Sequence, residues 1–405
     1  MIQKTPAPTS TPSRVVLKPG REKPVLHGHP WVFSGAVARW EHEAEGVAEV
    51  FASDGRWLAR GLGLPGASLA VRLFSWNESE KLDAALLLGL ADRAVNRREL
   101  ALAGRGTETD SYRLVYGEAD GLSGLIADRY AGVLSVEVSS KALVPYLGTI
   151  MHRLRERTSA KTVCVAAATD AVEREGLDPA ALRPFATDES ASVSIRENGF
   201  VLEVQCGSGQ KTGYFLDQRE NRLRAAAYAK GRRVLSAYCY TGGFDVVAGG
   251  AGAAGIVGID RSEPALELAR RHHEINRTPC PVEYRRADVP ADLRRMAQAG
   301  ERFGMVILDP PRFVAASAQK EKGLRAYKDI NRLAMEVLEP GGILASFSCS
   351  GLVSAADFKM MIGWSSVDAH RRVRILETLG QPPDHPVLAV FPESEYLKGV
   401  IAEVE

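Results

Sequence analysis

The chain is short of net charge, of cysteine and of long apolar runs, and each shortage removes a class of protein. Lysine and arginine total 51 against 50 aspartates and glutamates, a formal net charge of +1. Composition therefore gives no general electrostatic case for nucleic-acid binding, and any such surface has to be local. Five cysteines in 405 residues are scattered at 164, 206, 239, 280 and 349 without Cys-x-x-Cys spacing. That pattern argues against a disulfide framework and a zinc site, and for reduced thiols in the cytoplasm with no metal. No apolar run approaches the ~20 residues a membrane span needs, so no membrane segment is expected. The opening MIQKTPAPTSTPSR lacks the apolar core of a secretory signal; rich in Pro, Thr and Ser, residues 1–13 read as a disordered tail.

Two local charge excesses stand out. Arg14, Lys18, Arg21, Lys23 and Arg39 face only Glu22 over residues 14–39, and Arg371-Arg372-Val373-Arg374 forms a second cluster. Each is either an RNA-facing patch or an ordinary solvated face.

What is present falls into three parts. Over 14–80, short alternating apolar stretches broken by Gly and Pro predict a small β-barrel domain, with Trp31, Phe33, Trp57 and Trp76 as its core and His27 and His29 as loop residues. Its Trp-rich surface makes a homodimer an expectation. Over 81–190, LDAALLLGLADRAVNRRELA has helical apolar spacing, and short strands, a helix over 143–157 and a strand over 162–167 complete an α+β domain. From 191 to 405, VSIRENGFVLEVQ carries the Asn-Gly hairpin signal, and continuously apolar strands then alternate with helices. Such strands are covered on both faces, which predicts an α/β, doubly wound, Rossmann-like sheet.

In such sheets ligands sit beyond the carboxyl ends of the strands. The loop Tyr240-Thr241-Gly242-Gly243-Phe244 follows the first strand, Asp260 closes the second and Asp288 ends the third. A carboxylate at Asp260 suits two ribose hydroxyls, and one at Asp288 an adenine amino group. The loop lacks the Gly-x-Gly-x-x-Gly that cradles a pyrophosphate at a helix start, so S-adenosylmethionine, which has no phosphate, is preferred over a dinucleotide. Asp309-Pro310-Pro311 closes the fourth strand. The stiff turn projects Asp309 toward the polar edge of a base and Phe313 toward its face. Cys349 closes the neighbouring fifth strand, a rim position that suits a functional thiol. Cys239, beside the cofactor loop, is the competing thiol, and Cys164, Cys206 and Cys280 read as structural.

The segments GSGQKTGYFLDQREN (207–221), YTGGFD (240–245), LDPPRF (308–313), SFSCS (346–350) and DHPVLAVFPESEYLKG (384–399), with HPWVFSGAV (29–37) and RLVYGEADGLSGLIADRY (113–130), resemble the bacterial PUA-domain 23S ribosomal RNA methyltransferases over nearly the whole chain. The resemblance implies a PUA domain, a central domain and a class I methyltransferase domain that forms 5-methylcytosine in large-subunit RNA. By position in that pattern Cys349 would be the nucleophile and Asp309 the base-binding acid. Phe215, Gln218 and Asp309 itself would join the cofactor side, and Lys211, Arg312, Phe313, Arg14, Lys18 and Arg21 the RNA side. Two other readings remain open: methylation of an exocyclic amine of guanine or adenine, which needs no thiol, and an RNA-binding or ribosome-assembly protein with a vestigial cofactor site.

Overall fold

The computed structural model describes residues 11–103, 108–207, 212–314 and 316–405. Most of the expected tail lies outside them, as does Lys211. The chain divides into two compact units. The first runs to Ile195 and takes back Val204–Leu216 and Pro383–Ser394; the second holds Arg196–Glu203, Asp217–Pro382 and Glu395–Glu405.

In the first unit, strands Ser13–Leu17, Trp31–Phe33, Val37–Glu41, Gly46–Phe51, Trp57–Gly63 and Leu69–Ser75 make one sheet. Its core is aliphatic, built from Val15, Leu17, Val32, Val50, Leu58, Val71 and Leu73. The expectation of a tryptophan core is wrong, because side chains alternate across a strand. Val32 takes the inward position, leaving Trp31 half-buried and Phe33 48% exposed, while Trp76 lies past the strand end at 40%. The rest of this unit pairs a four-stranded sheet (Ser111–Tyr116, Leu125–Tyr130, Val133–Val138, Thr162–Ala167) with helices Ala84–Leu102 and Val144–Thr158. The first of these helices starts at Asp83, whose carboxylate accepts from the N–H groups of Ala85 and Leu86. Leu62 and Phe74 from the β sheet share the core formed by Leu87, Leu114 and Leu147.

The hairpin Ala191–Glu197/Phe200–Cys206 turns through Asn198 (φ 53°) and Gly199 (φ 84°), as the Asn-Gly pair requires. Helix α1 (Arg219–Ala226) follows. Strands β1 (Arg233–Ala237), β2 (Gly255–Asp260), β3 (Val282–Arg286), β4 (Phe303–Leu308), β5 (Leu338–Ser348), β6 (Val373–Gly380) and β7 (Lys398–Val404) then form one sheet, in the order β3-β2-β1-β4-β5-β7-β6. Between them run α2 (Gly243–Gly250), α3 (Glu263–Asn276), α4 (Val289–Gln298), α5 (Lys320–Glu336) and α6 (Ala355–Asp368). Consecutive strand residues feed opposite layers: Leu235, Val257, Val306 and Leu344 enter one core, and Val234, Ile256, Met305 and Ile343 the other. The doubly covered sheet is therefore the reason for the continuous apolar strands. The antiparallel pair β6 and β7 at one end was not anticipated; β7 lies against β5 with Ser348 opposite Lys398.

Candidate active site

The loop from Tyr238 to Gly242 leaves β1 in an unusual conformation. Tyr238, Tyr240 and Gly242 have φ of 62°, 50° and 72°. A left-handed non-glycine residue costs about 1–2 kcal/mol, so its surroundings have to hold it. Asp260 does so: one carboxylate oxygen accepts the Tyr240 N–H at 3.0 Å, the other the Ser262 N–H at 2.9 Å. On the far side, His272 Nδ1–H donates to the Thr241 carbonyl at 2.8 Å, while Nε2 accepts the Glu203 N–H at 2.8 Å. Burial lowers the His272 pKa, which suits this neutral ring. Gly242 is required by space as well as by φ, since a Cβ there would lie 2.8 Å from the Tyr284 hydroxyl and 3.0 Å from the Ala269 Cβ. The buried Thr241 hydroxyl has no hydrogen-bond partner among the described residues. Such a group is costly unless a ligand or water satisfies it.

Other expected cofactor residues are already engaged. Asp288 caps α4 by accepting the Ala291 N–H at 3.1 Å and pairs with Arg261. Phe244 is buried in the first turn of α2 and packs on Phe347, with ring centroids 5.3 Å apart. Gln218 is buried and accepts from Asn221 Nδ2 at 2.6 Å. Phe215 is half-buried in the first unit. Beneath the loop, Asp245 is fully buried. Burial pushes its carboxyl up to about 7, against the opposing pull of the Ser236 and Tyr284 hydroxyls.

The second half of the site lies along the same rim. Registers β1–β4 and β4–β5 put Ala237, Leu308 and Ser346 at one level on three neighbouring strands. Asp309 is one residue beyond that level, its N–H reaching the Ala237 carbonyl at 3.4 Å, and Cys349 is three residues beyond it on the adjacent strand. Tyr327 of α5 stitches the two loops together. Its hydroxyl meets Ser350 Oγ at 2.9 Å and accepts the Phe313 N–H at 3.5 Å, and Ser350 Oγ also accepts the Val314 N–H at 3.3 Å. The Phe313 ring rests on Tyr327 at 4.7 Å, and Arg312 is exposed. Four of the five cysteines are buried; Cys349 alone is half-buried. Burial pushes the competing Cys239 thiol far up, which disfavours its thiolate.

Sequence reasoning missed the residues that hold this framework. In the second unit, the Asp217 carboxylate accepts from the Tyr396 hydroxyl at 2.5 Å, Asn221 Nδ2 reaches the Gly380 carbonyl at 3.1 Å, and Arg222 pairs with Glu197 at 2.6 Å, both buried. In the first, Ser135 Oγ donates to the Thr212 carbonyl at 2.6 Å and Tyr130 accepts the Tyr214 N–H at 3.0 Å. The motif around 212–222 is thus built largely of structural anchors. Lys398 is also buried, its ammonium donating to the Ser350 and Val353 carbonyls at 2.7 and 2.5 Å.

The basic clusters fare differently from each other. The Arg371 guanidinium binds main-chain carbonyls of Met335, Leu338, Glu339, Val404 and Glu405, and Arg374 pairs with Glu403 and Glu405. Near the amino end, Arg14 pairs with Glu41 and lies over the Phe51 ring at 4.1 Å, and Lys18 donates to the Gly35 carbonyl at 2.9 Å. Arg21 and Lys23 are exposed. Among the described residues, no group of three or more His, Cys, Asp or Glu could hold a metal, and no helix is long and apolar enough to cross a membrane.

Comparison with known proteins agrees with this geometry. Residues 113–397 match the S-adenosylmethionine-dependent methyltransferase family and residues 15–76 a PUA-like domain. Ribosomal RNA large subunit methyltransferase I of Shewanella frigidimarina is 38% identical over 395 residues, covering 96% of this chain and 99% of that protein. The Erwinia tasmaniensis protein of the same name is equally similar, with the same coverage. A Streptococcus mutans protein described as a methyltransferase shares the fold, with a TM-score of 0.80 at 19% identity over 96% of this chain and 99% of its own. Another methyltransferase-like structure, complexed with S-adenosylhomocysteine, gives 0.82 at 19% identity with the same coverage. A PUA-like domain and a sheet ordered 3-2-1-4-5-7-6 thus occur in a chain that belongs to the S-adenosylmethionine-dependent methyltransferase family, together with the ribosomal RNA large subunit methyltransferases I.

Proposed function

We propose that this protein methylates carbon 5 of a cytosine in 23S ribosomal RNA, in the cytoplasm, with Cys349 as the nucleophile. The observation that carries the reading is the half-buried Cys349 on the rim beside Asp309, with every other cysteine buried. The relatives named above act on large-subunit ribosomal RNA, as their names state. Tyr240, Thr241, Gly242 and Asp260 would hold S-adenosylmethionine. When bound, it supplies an electrophilic methyl group.

The chain's own residues do the rest. The Cys349 thiolate forms a bond to C6 of the cytosine, and the electron pair of the C5–C6 double bond makes C5 nucleophilic enough to take the methyl group. A base then removes the C5 proton, the double bond re-forms and the C6–sulfur bond breaks, returning the thiolate. Asp309 would hold the N3 and N4 edge of the ring and stabilise charge that develops there. The target nucleotide has to be unpaired or flipped out to reach the rim. Arg21 and Lys23 on the first unit are available for phosphate contacts.

Nucleoside mass spectrometry of ribosomal RNA from cells lacking the protein tests this reading. Loss of one 5-methylcytidine, restored by the wild type but not by Cys349→Ala, is expected. Loss of a methylated guanosine or adenosine, restored by both, would transfer the assignment to exocyclic-amine methylation.

A further inference from the structure

Lys398 occupies a position that a lysine seldom takes. Its side chain is 4% exposed, and lysine is almost never buried without an ionic partner. Among the described residues Nζ makes no ion pair with a carboxylate; its partners are the Ser350 and Val353 carbonyls. Two neutral acceptors use two of its three N–H groups and leave the charge uncompensated. The acidic groups that face it are Cys349, Glu395 and Asp357. Asp357 is committed elsewhere, pairing with Lys320 at 2.8 Å and accepting the Ser354 N–H at 3.1 Å, and Glu395 is exposed. Tyr327, on the other side of the Cys349 loop, is a phenol whose pKa burial raises, so it faces the thiol uncharged. Register puts Lys398 opposite Ser348, the residue before Cys349, and its two carbonyl acceptors belong to the loop that Cys349 opens.

We infer that Lys398 is the positioning residue for Cys349: its ammonium is the counter-charge that favours the thiolate, and its two hydrogen bonds fix the loop carrying the sulfur. The inference rests on Cys349 being the nucleophile. A cation beside a thiol favours the thiolate, and a buried cation acts more strongly than an exposed one. The same burial lowers the Lys398 pKa to about 8, so the ammonium is present at neutral pH and fades above that value.

The test is the pH-dependent rate of Cys349 alkylation by iodoacetamide in the full-length protein, read at that residue by peptide mass spectrometry. Lys398→Gln can still donate to the carbonyls but lacks the charge; Lys398→Arg keeps both. Expected is an about tenfold slower alkylation at pH 7 for Lys398→Gln, with its midpoint raised by about one unit, S-adenosylhomocysteine affinity retained and Lys398→Arg close to wild type. A Lys398→Gln protein that binds S-adenosylhomocysteine normally and alkylates at the wild-type rate and midpoint would overturn the inference. If Lys398→Gln fails to fold, Lys398→Arg decides: an unchanged profile supports it, and a folded Lys398→Arg that alkylates tenfold more slowly overturns it. Thiol reactivity is read without RNA. An active Cys349→Ala enzyme would refute the nucleophile itself and is seen separately.

Discussion

The Asp260 carboxylate accepts the main-chain N–H of Tyr240 at 3.0 Å, across the ends of two neighbouring parallel strands. One side chain thereby holds a left-handed residue in the ligand loop and presents a carboxylate at the place where ribose hydroxyls are expected. Each oxygen accepts one N–H, and a carboxylate has lone pairs for more. Asp260→Ala removes both functions at once. Calorimetry with S-adenosylhomocysteine should show affinity reduced about 100-fold or more, at two charge-assisted hydrogen bonds of about 1.5–3 kcal/mol each. A reduction below about threefold would separate Asp260 from the ligand.

Gly242→Ala places a methyl group at φ 72°, 2.8 Å from the Tyr284 hydroxyl and 3.0 Å from the Ala269 Cβ. Strain of this kind costs about 1–3 kcal/mol. Urea denaturation should show that loss, and S-adenosylhomocysteine should bind more weakly because the loop shifts. A variant as stable as wild type would mean that α3 yields easily at this point.

Asp245 gives the protein a pH dependence of known sign. Its carboxyl titrates at about 7 in the folded protein and near ~4 when unfolded, so the folded state holds the proton more tightly. Its contribution to stability is greatest below the unfolded value and falls as pH rises from ~4 to about 7. Asp245→Asn removes this titration. Its stability relative to wild type should rise across that window and then level off in urea titrations between pH 4 and 8. A constant difference would mean an ordinary carboxyl at Asp245.

Glu197 and Arg222 are 1% and 4% exposed and pair at 2.6 Å. Removing one partner of a buried pair costs about 3–5 kcal/mol because the other charge is stranded. Glu197→Gln should lower the urea midpoint accordingly, while the double change Glu197→Leu with Arg222→Met recovers much of the loss. Equal losses in the single and double variants would show that the pair is not coupled.

The parts of this protein that depend on local pattern were legible in the sequence. Continuous apolar strands such as Phe303–Leu308 are buried residue by residue because both sheet faces are covered, and Asn198-Gly199 turns the hairpin through two left-handed residues. Asp309 and Cys349 could be assigned to one rim because each follows the end of a predicted strand. The aromatic residues of the β domain misled for a local reason too: strand alternation gives Val32 the inward place, and Trp31 and Phe33 the outward ones.

Composition, periodicity and motif order by themselves determined the fold class and the candidates for the cofactor loop and the thiol, since each is set by neighbours along the chain. Only tertiary structure decided what the charged residues do. Arg371 is a clamp on carbonyl groups rather than a basic patch, because β6 and β7 bring it to strand and helix ends more than thirty residues away in sequence. Lys398 meets the Cys349 loop because an antiparallel strand pairs with β5. Charge is read from a sequence as if it were solvated; its partner, and the burial that gives the pairing its strength, come from chain segments that no local pattern joins.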